Sequence, residues 1–178
     1  MTIQTTLQGM AAALAAAERE LQVPAEQHGV FRMAMIRACV MVQSDAVMRL
    51  GSYHGAVGPF PRWQQLAPAT QEERARLGYA PNDPLYRDGT LARSIEFTIQ
   101  GSTGHIGSDL DIAVYQEVGT GRIPPRPFLG PALYVNEFKI HKLFVRAVFK
   151  ALKLDPHGTD HLDLSGLGAQ PMVGMGYY

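Results

Sequence analysis

Between Gly119 and Pro131 the chain reads GTGRIPPRPFLGP. Proline fixes φ and lacks a backbone N–H, so Pro124, Pro125, Pro127 and Pro131 exclude both a helix interior and a central strand from this stretch. What remains is an extended, preorganised loop, which loses little entropy when it docks. Phe128 and Leu129 stand between prolines and need a core or a neighbouring chain to bury against. Arg122 and Arg126 fall where the polar rim of a contact is expected. Gly119 and Gly121 predict a turn with positive φ at one or both. An anion-cradling nest is disfavoured there, because Pro124 and Pro125 remove the next donors. The candidate assembly interface is therefore Arg122, Pro125, Arg126, Phe128 and Leu129.

A final helix is expected to follow the loop. Leu133, Phe138, Ile140, Phe144, Ala147, Val148, Ala151 and Leu152 are assigned to its apolar side. Lys139, Lys142, Arg146, Lys150 and Lys153 recur at spacings of three and four, which makes a basic stripe on the same helix. Such a stripe reads either as a solvated face or as a surface that meets DNA or an acidic neighbouring subunit. Two long helices are expected at the other end of the chain. Leu7, Met10, Leu14, Ala17 and Leu21 form one stripe, capped by Thr5 or Thr6 and ended by Pro24. The second helix is expected from about Ala25 to Leu50. Its broad apolar surface predicts packing on more than one side, with the methionines as core filler.

Between these helices the reading is mixed. Residues 51–68 are rich in Gly and Pro and hold Trp63, an aromatic expected to pin the loop to the core. Thr70-Gln71-Glu72-Glu73 has the form of a capping box opening a short helix that ends at Gly78. Pro81 and Pro84 predict an extended connection. Ile95, Phe97 and Ile99 alternate with polar residues, a half-buried strand. A turn over Gly101–Gly104 and a partner strand over His105–Ser108 complete a hairpin. Asp109 or Asp111 is positioned to cap a helix through Ile112 and Tyr115 that stops at Gly119. The residues thus read as two long N-terminal helices, a hairpin among shorter helices, a last long helix and an extended C-terminal arm. One domain is expected over 1–154, with a helical part at 1–50. The Gly-rich arm would span 155–178.

Charge and chemistry narrow the function classes. The chain's 178 residues can bury a core without disulfides or metal, and its 16 cationic residues balance 16 acidic ones. A protein that neutralises many phosphates usually carries a basic excess, so nucleic-acid binding as the main task is disfavoured. Cys39 is the only cysteine, which excludes an intramolecular disulfide, and it reads as a small buried residue on a helix. No signal peptide or membrane-spanning run is expected. Ser94 and Ser108 lack a nucleophile elbow, and no phosphate loop or zinc-protease motif is present. The nearest approach to a metal site is Asp155, His157, Asp160, His161 and Asp163, where Pro156 and Gly158 prevent helical alignment. No cofactor, metal or catalytic residue is assigned.

Three segments, taken in order, resemble the small neck and tail-completion proteins of tailed bacteriophages, including the Mu-type virion morphogenesis proteins and the lambda-type minor tail proteins. The first is Trp63–Phe97, where Pro84, Leu85, Asp88, Gly89, Leu91, Ser94 and Ile95 match a P-L-x-x-(T/D)-G-x-L-x-x-S-I pattern. The second is Tyr115–Leu133, YQEVGTGRIPPRPFLGPAL, similar to the family's Y-A-x-x-x-E-x-G-T…P-x-R-P-F-L-x-P-A-L, except that Ile112-Ala113-Val114-Tyr115 replaces the Tyr-Ala. The third is the helix after it. The resemblance covers roughly 63–152, the family-like core, and implies an α+β fold, a small antiparallel or mixed sheet flanked by helices, in a non-enzymatic virion protein that forms a homo-oligomeric ring, hexamer or dodecamer. It also implies contact with connector or portal-side and tail-tube proteins, with DNA passing through without sequence specificity. The implied location is the virion neck, after assembly in the host cytoplasm. A tail terminator capping the tube is the alternative within the same class. A small metal-dependent hydrolase or a DNA-binding module is the alternative from another class.

Overall fold

Buried positions on the first described helix recur every four residues. A computed structural model of the chain describes residues 29–151. Helix α1 (Val30–Arg49) buries Ala34, Ala38, Val42 and Ala46, with Cys39 beside them and Leu50 just past its end. Four-residue spacing puts these side chains on one narrow stripe, and mostly small residues there permit close approach of whatever packs on it. The four methionines of this helix divide: Met35 and Met41 are half-buried, while Met33 is 50% and Met48 71% exposed, because neither of these falls on the stripe. The expected helix over residues 7–21, Leu152, Lys153 and the 155–178 arm lie outside the described residues.

The chain clusters into two compact units, Ile36–Asn136 and one that joins 29–35 with 137–151. Within Ile36–Asn136 the element order after α1 is α2 (Pro68–Arg76), α3 (Thr90–Ser94), β1 (Glu96–Gln100), β2 (Thr103–Gly107) and α4 (Asp111–Val118). The last helix, α5 (Leu129–Ala151), starts in this unit. Strands β1 and β2 form a two-stranded antiparallel sheet with Phe97 opposite Ile106 and Gln100 opposite Thr103. The class is α+β with a small sheet. The turn is Gly101-Ser102 alone, with Gly101 at φ +58°, so Thr103 and Gly104 belong to the strand rather than to the turn.

Local chemistry explains where helices begin. Helix α2 starts two residues before Thr70, at Pro68, with Ala67 as N-cap and no side-chain cap. Proline's fixed φ suits the first helical position, so it displaces the expected capping box. Gln71 instead returns its amide to the carbonyl of Leu66 at 2.9 Å. Gly78 (φ +80°) ends the helix as expected, with the N–H of Tyr79 reaching the carbonyl of Arg74 at 2.9 Å. The following connection is a set of turns, not an extended run. The buried Arg74 guanidinium donates to the carbonyls of Ala80 and Asp83 and folds the segment back. Neither Asp109 nor Asp111 caps α4. Ser108 Oγ accepts the N–H of Leu110 at 3.1 Å, while Asp111 sits in the first turn.

The P-L-x-x-D-G-x-L-x-x-S-I positions are framework. Pro84 accepts the N–H of Gly51 at 2.8 Å, and Asp88 Oδ1 accepts the N–H of Thr90 at 2.9 Å. That backbone hydrogen bond, with the Thr90 hydroxyl, holds the Asp88 carboxyl below the usual aspartate range. Leu91 and Ile95 are buried, and the Ile95 carbonyl accepts Gln43 Nε2 from α1 at 2.7 Å.

Candidate functional site

The Gly119–Pro131 segment is built around a carboxylate that sequence reasoning passed over. Glu117, 8% exposed in the last turn of α4, points its carboxylate at the start of α5. Oε2 accepts the N–H of Phe128 at 2.7 Å and that of Leu129 at 3.0 Å, and Oε1 accepts that of Gly130 at 2.8 Å. The first four N–H groups of a helix have no partner inside it. Here three go to Glu117 and the fourth position is Pro131, which has none. Helix α5 therefore begins at Leu129, and Pro131 lies in its first turn rather than in the loop. The negative carboxylate also favours the positive end of the helix dipole.

The rest of the loop is tied down with equal care. Gly119 has φ +76°, and a Cβ there would stand 2.9 Å from the Ile123 carbonyl and from Pro125. Gly121 is not in the positive-φ region. Thr120 Oγ1 accepts the N–H groups of Arg122 and Ile123, and Arg126 N–H reaches the carbonyl of Gln116 at 2.7 Å. Trp63, 6% exposed, donates its indole N–H to the Pro127 carbonyl at 2.9 Å and packs edge-on against His54. This is the pinning role expected of it.

The predicted interface residues separate into inside and outside. Phe128 is fully buried and Leu129 and Pro125 are half-buried, so the anchor lies in the chain's own core. Arg126 is 4% exposed, not on a rim, and donates Nε to the carbonyl of Gln64 at 3.1 Å and Nη2 to that of Gln65 at 3.2 Å. Burial lowers its pKa from the ordinary arginine value, with the nearby Arg74 adding to the effect. Arg126 is held inside because the carbonyls of Gln64 and Gln65 need donors, and its guanidinium supplies them in a fork. Of the five residues only Arg122 is exposed.

Outward-facing apolar groups lie instead on α4. Its buried positions are Ala113 and Glu117, one turn apart. Ile112, Val114, Tyr115 and Val118 are 41–49% exposed. The helix is thus inverted relative to an ordinary surface helix, with a carboxylate inside and apolar side chains outside. On α5, Lys139, Arg146 and Lys150 are exposed and Lys142 is half-buried. Phe138 is not on the apolar side but 50% exposed, with Lys142 Nζ 5.4 Å from its ring centroid. Five residues at the helical angle place it about 140° around from Leu133, on the basic face.

An open cleft of about 670 Å³ runs beside the hairpin, lined among others by Arg93, Ser94, Glu96, His105, Ser108 and Asp109. Its two serines are structural. Ser94 Oγ donates to the Leu91 carbonyl at 2.9 Å, so Ser108 is the donor in the 2.7 Å contact between them. Among the described residues no three His, Cys, Asp or Glu side chains are grouped to hold a metal, and no helix is long and apolar enough to cross a membrane. The Asp155–Asp163 segment lies outside them. Comparison with protein-family models, curated proteins and solved structures gives no match for this chain.

Proposed function

We propose that this chain is a structural assembly subunit, and that its place is the neck of a tailed-phage virion, where copies form a ring that joins head to tail or completes the tail. The observation that carries the assembly reading is the inverted helix α4, with Glu117 turned inward and Ile112, Val114, Tyr115 and Val118 turned outward. Apolar side chains gathered on one exposed helix mark a surface that is covered in the working state. The buried hydrogen bonds of Glu117, Arg126 and Trp63 support this reading, because they fix α4 and α5 rigidly enough to present that surface without ordering cost. The neck assignment rests on the order of the Trp63–Phe97 and Tyr115–Leu133 motifs and on the resemblance they carry. The role is mechanical rather than catalytic.

Negative-stain electron microscopy of the purified full-length chain, alone and mixed with portal-side and tail-tube proteins, tests it. Closed rings, or rings added to the end of a connector or tube, are expected. A strict monomer under both conditions overturns the proposal.

A further inference from the structure

The chain's zero net charge conceals a separation of sign. From Glu96 to Val118, hairpin and α4 together, there are four carboxylates and no lysine or arginine. Glu117 is spent inside the fold, but Glu96, Asp109 and Asp111 are exposed and form no salt bridge among the described residues. They stand along the cleft and at the start of α4, next to exposed Ile112 and Tyr115. The outward face of α5 has the opposite character. Residues 137–151 carry four cations against the single carboxylate of Glu137, and Phe138 is exposed at the N-terminal edge of the basic face, one turn before Lys142. Each surface joins exposed apolar side chains to an excess of one charge, three exposed carboxylates against Arg93 on the first and four cations against Glu137 on the second, and the signs are opposite.

We infer that these two surfaces are the two halves of one head-to-tail contact: the basic face of α5 in one copy docks on the acidic hairpin and α4 of the next. The inference rests on the assembly reading and names the partner surface within it. A second copy is the occupant because the complementary surface is present on the same chain, and because two different patches meeting head to tail is the arrangement that propagates into a ring or filament. Charge complementarity of this kind sets register and rejects the self-to-self pairing of either face, where like charges would oppose each other. Phe138 then meets Ile112 and Tyr115, the apolar part of the contact, and Lys142 and Lys150, further along α5, lie opposite Glu96 and Asp109.

Charge reversal tests this with full-length protein. We expect wild-type protein to form an oligomer by light scattering at low salt. E96K/D109K and K142E/K150E should each weaken self-association by about a hundredfold, while melting temperatures stay close to wild type, since Glu96, Asp109 and Lys150 are exposed and the half-buried Lys142 ends over the exposed Phe138 ring. Mixed in equal amounts, the two variants should recover the wild-type mass. Each then presents an unaltered face to the other's unaltered face and a reversed face to the other's reversed face. The chain carrying all four substitutions should also reassemble. If wild type assembles and the reversals leave its mass unchanged, or the mixture stays dissociated, the contact is elsewhere and this inference fails while the assembly reading stands. If wild type is monomeric throughout, both fail. If K142E/K150E abolishes retention on duplex DNA while leaving the mass unchanged, the basic face serves nucleic acid and the inference fails.

Discussion

The side chain of Glu117 caps a helix it does not belong to: its Oε2 accepts the N–H of Phe128 at 2.7 Å, eleven residues further along and across the whole proline loop. The same carboxylate takes the next two N–H groups, so the end of α4 and the start of α5 are locked through one residue. Replacement by Gln leaves one acceptor oxygen and turns an amide donor toward another donor. We expect Glu117→Gln to cost about 2–3 kcal/mol in urea unfolding, the scale for hydrogen bonds to a charged buried group. A loss under 0.5 kcal/mol, on the scale of an ordinary surface substitution, would contradict this role.

Phe128 is completely enclosed. Phe128→Ala should therefore cost about 3–5 kcal/mol by equilibrium denaturation, the range for emptying a full aromatic site. The Phe128 ring was legible in sequence, since an apolar residue among prolines needs burial. That it is buried in its own chain and not in a neighbour was not legible, because composition alone does not distinguish the two.

Gly130 gives a prediction of unusual sign. In an ordinary helix Gly→Ala stabilises by about 1 kcal/mol. Here a Cβ would meet the Phe60 ring at 2.4 Å and Glu117 Oε1 at 3.2 Å. Gly130→Ala is expected to destabilise, read as a lowered thermal midpoint. A raised midpoint would show that Phe60 moves aside freely.

Cys39 is 3% exposed, and burial raises its thiol pKa above the ordinary value. Little thiolate forms at neutral pH, and little reagent reaches it. A thiol-specific reagent is expected to label the native protein slowly and the urea-unfolded protein at once. Rapid labelling of native protein would mean that α1 opens readily.

Periodicity and punctuation carried much of the fold. The Phe97–Ile99 alternation gave β1, Gly78 and Gly119 marked helix ends, and Trp63 was correctly assigned as a loop anchor. What misled was polarity taken as location. Arg126 reads as a rim residue until the carbonyls of Gln64 and Gln65 are known to need donors. Phe138 reads as core until its angle on α5 is worked out. Glu117 had a usable signal: an acid in the last turn of a helix opposes the dipole there, so a partner of greater value must recruit it. The apolar outside of α4 was hidden for the same reason, since Ile112 and Tyr115 look like core when nothing says that Glu117 takes the inward position.

The outward apolar face of α4 is the centre of the functional reading, and its most direct test is the solution mass of Ile112→Ser/Tyr115→Ser beside wild type, at matched concentration. Multi-subunit wild-type protein and a variant that dissociates while melting at the same temperature are expected. A wild-type monomer, or a variant that keeps the full oligomeric mass, would contradict it.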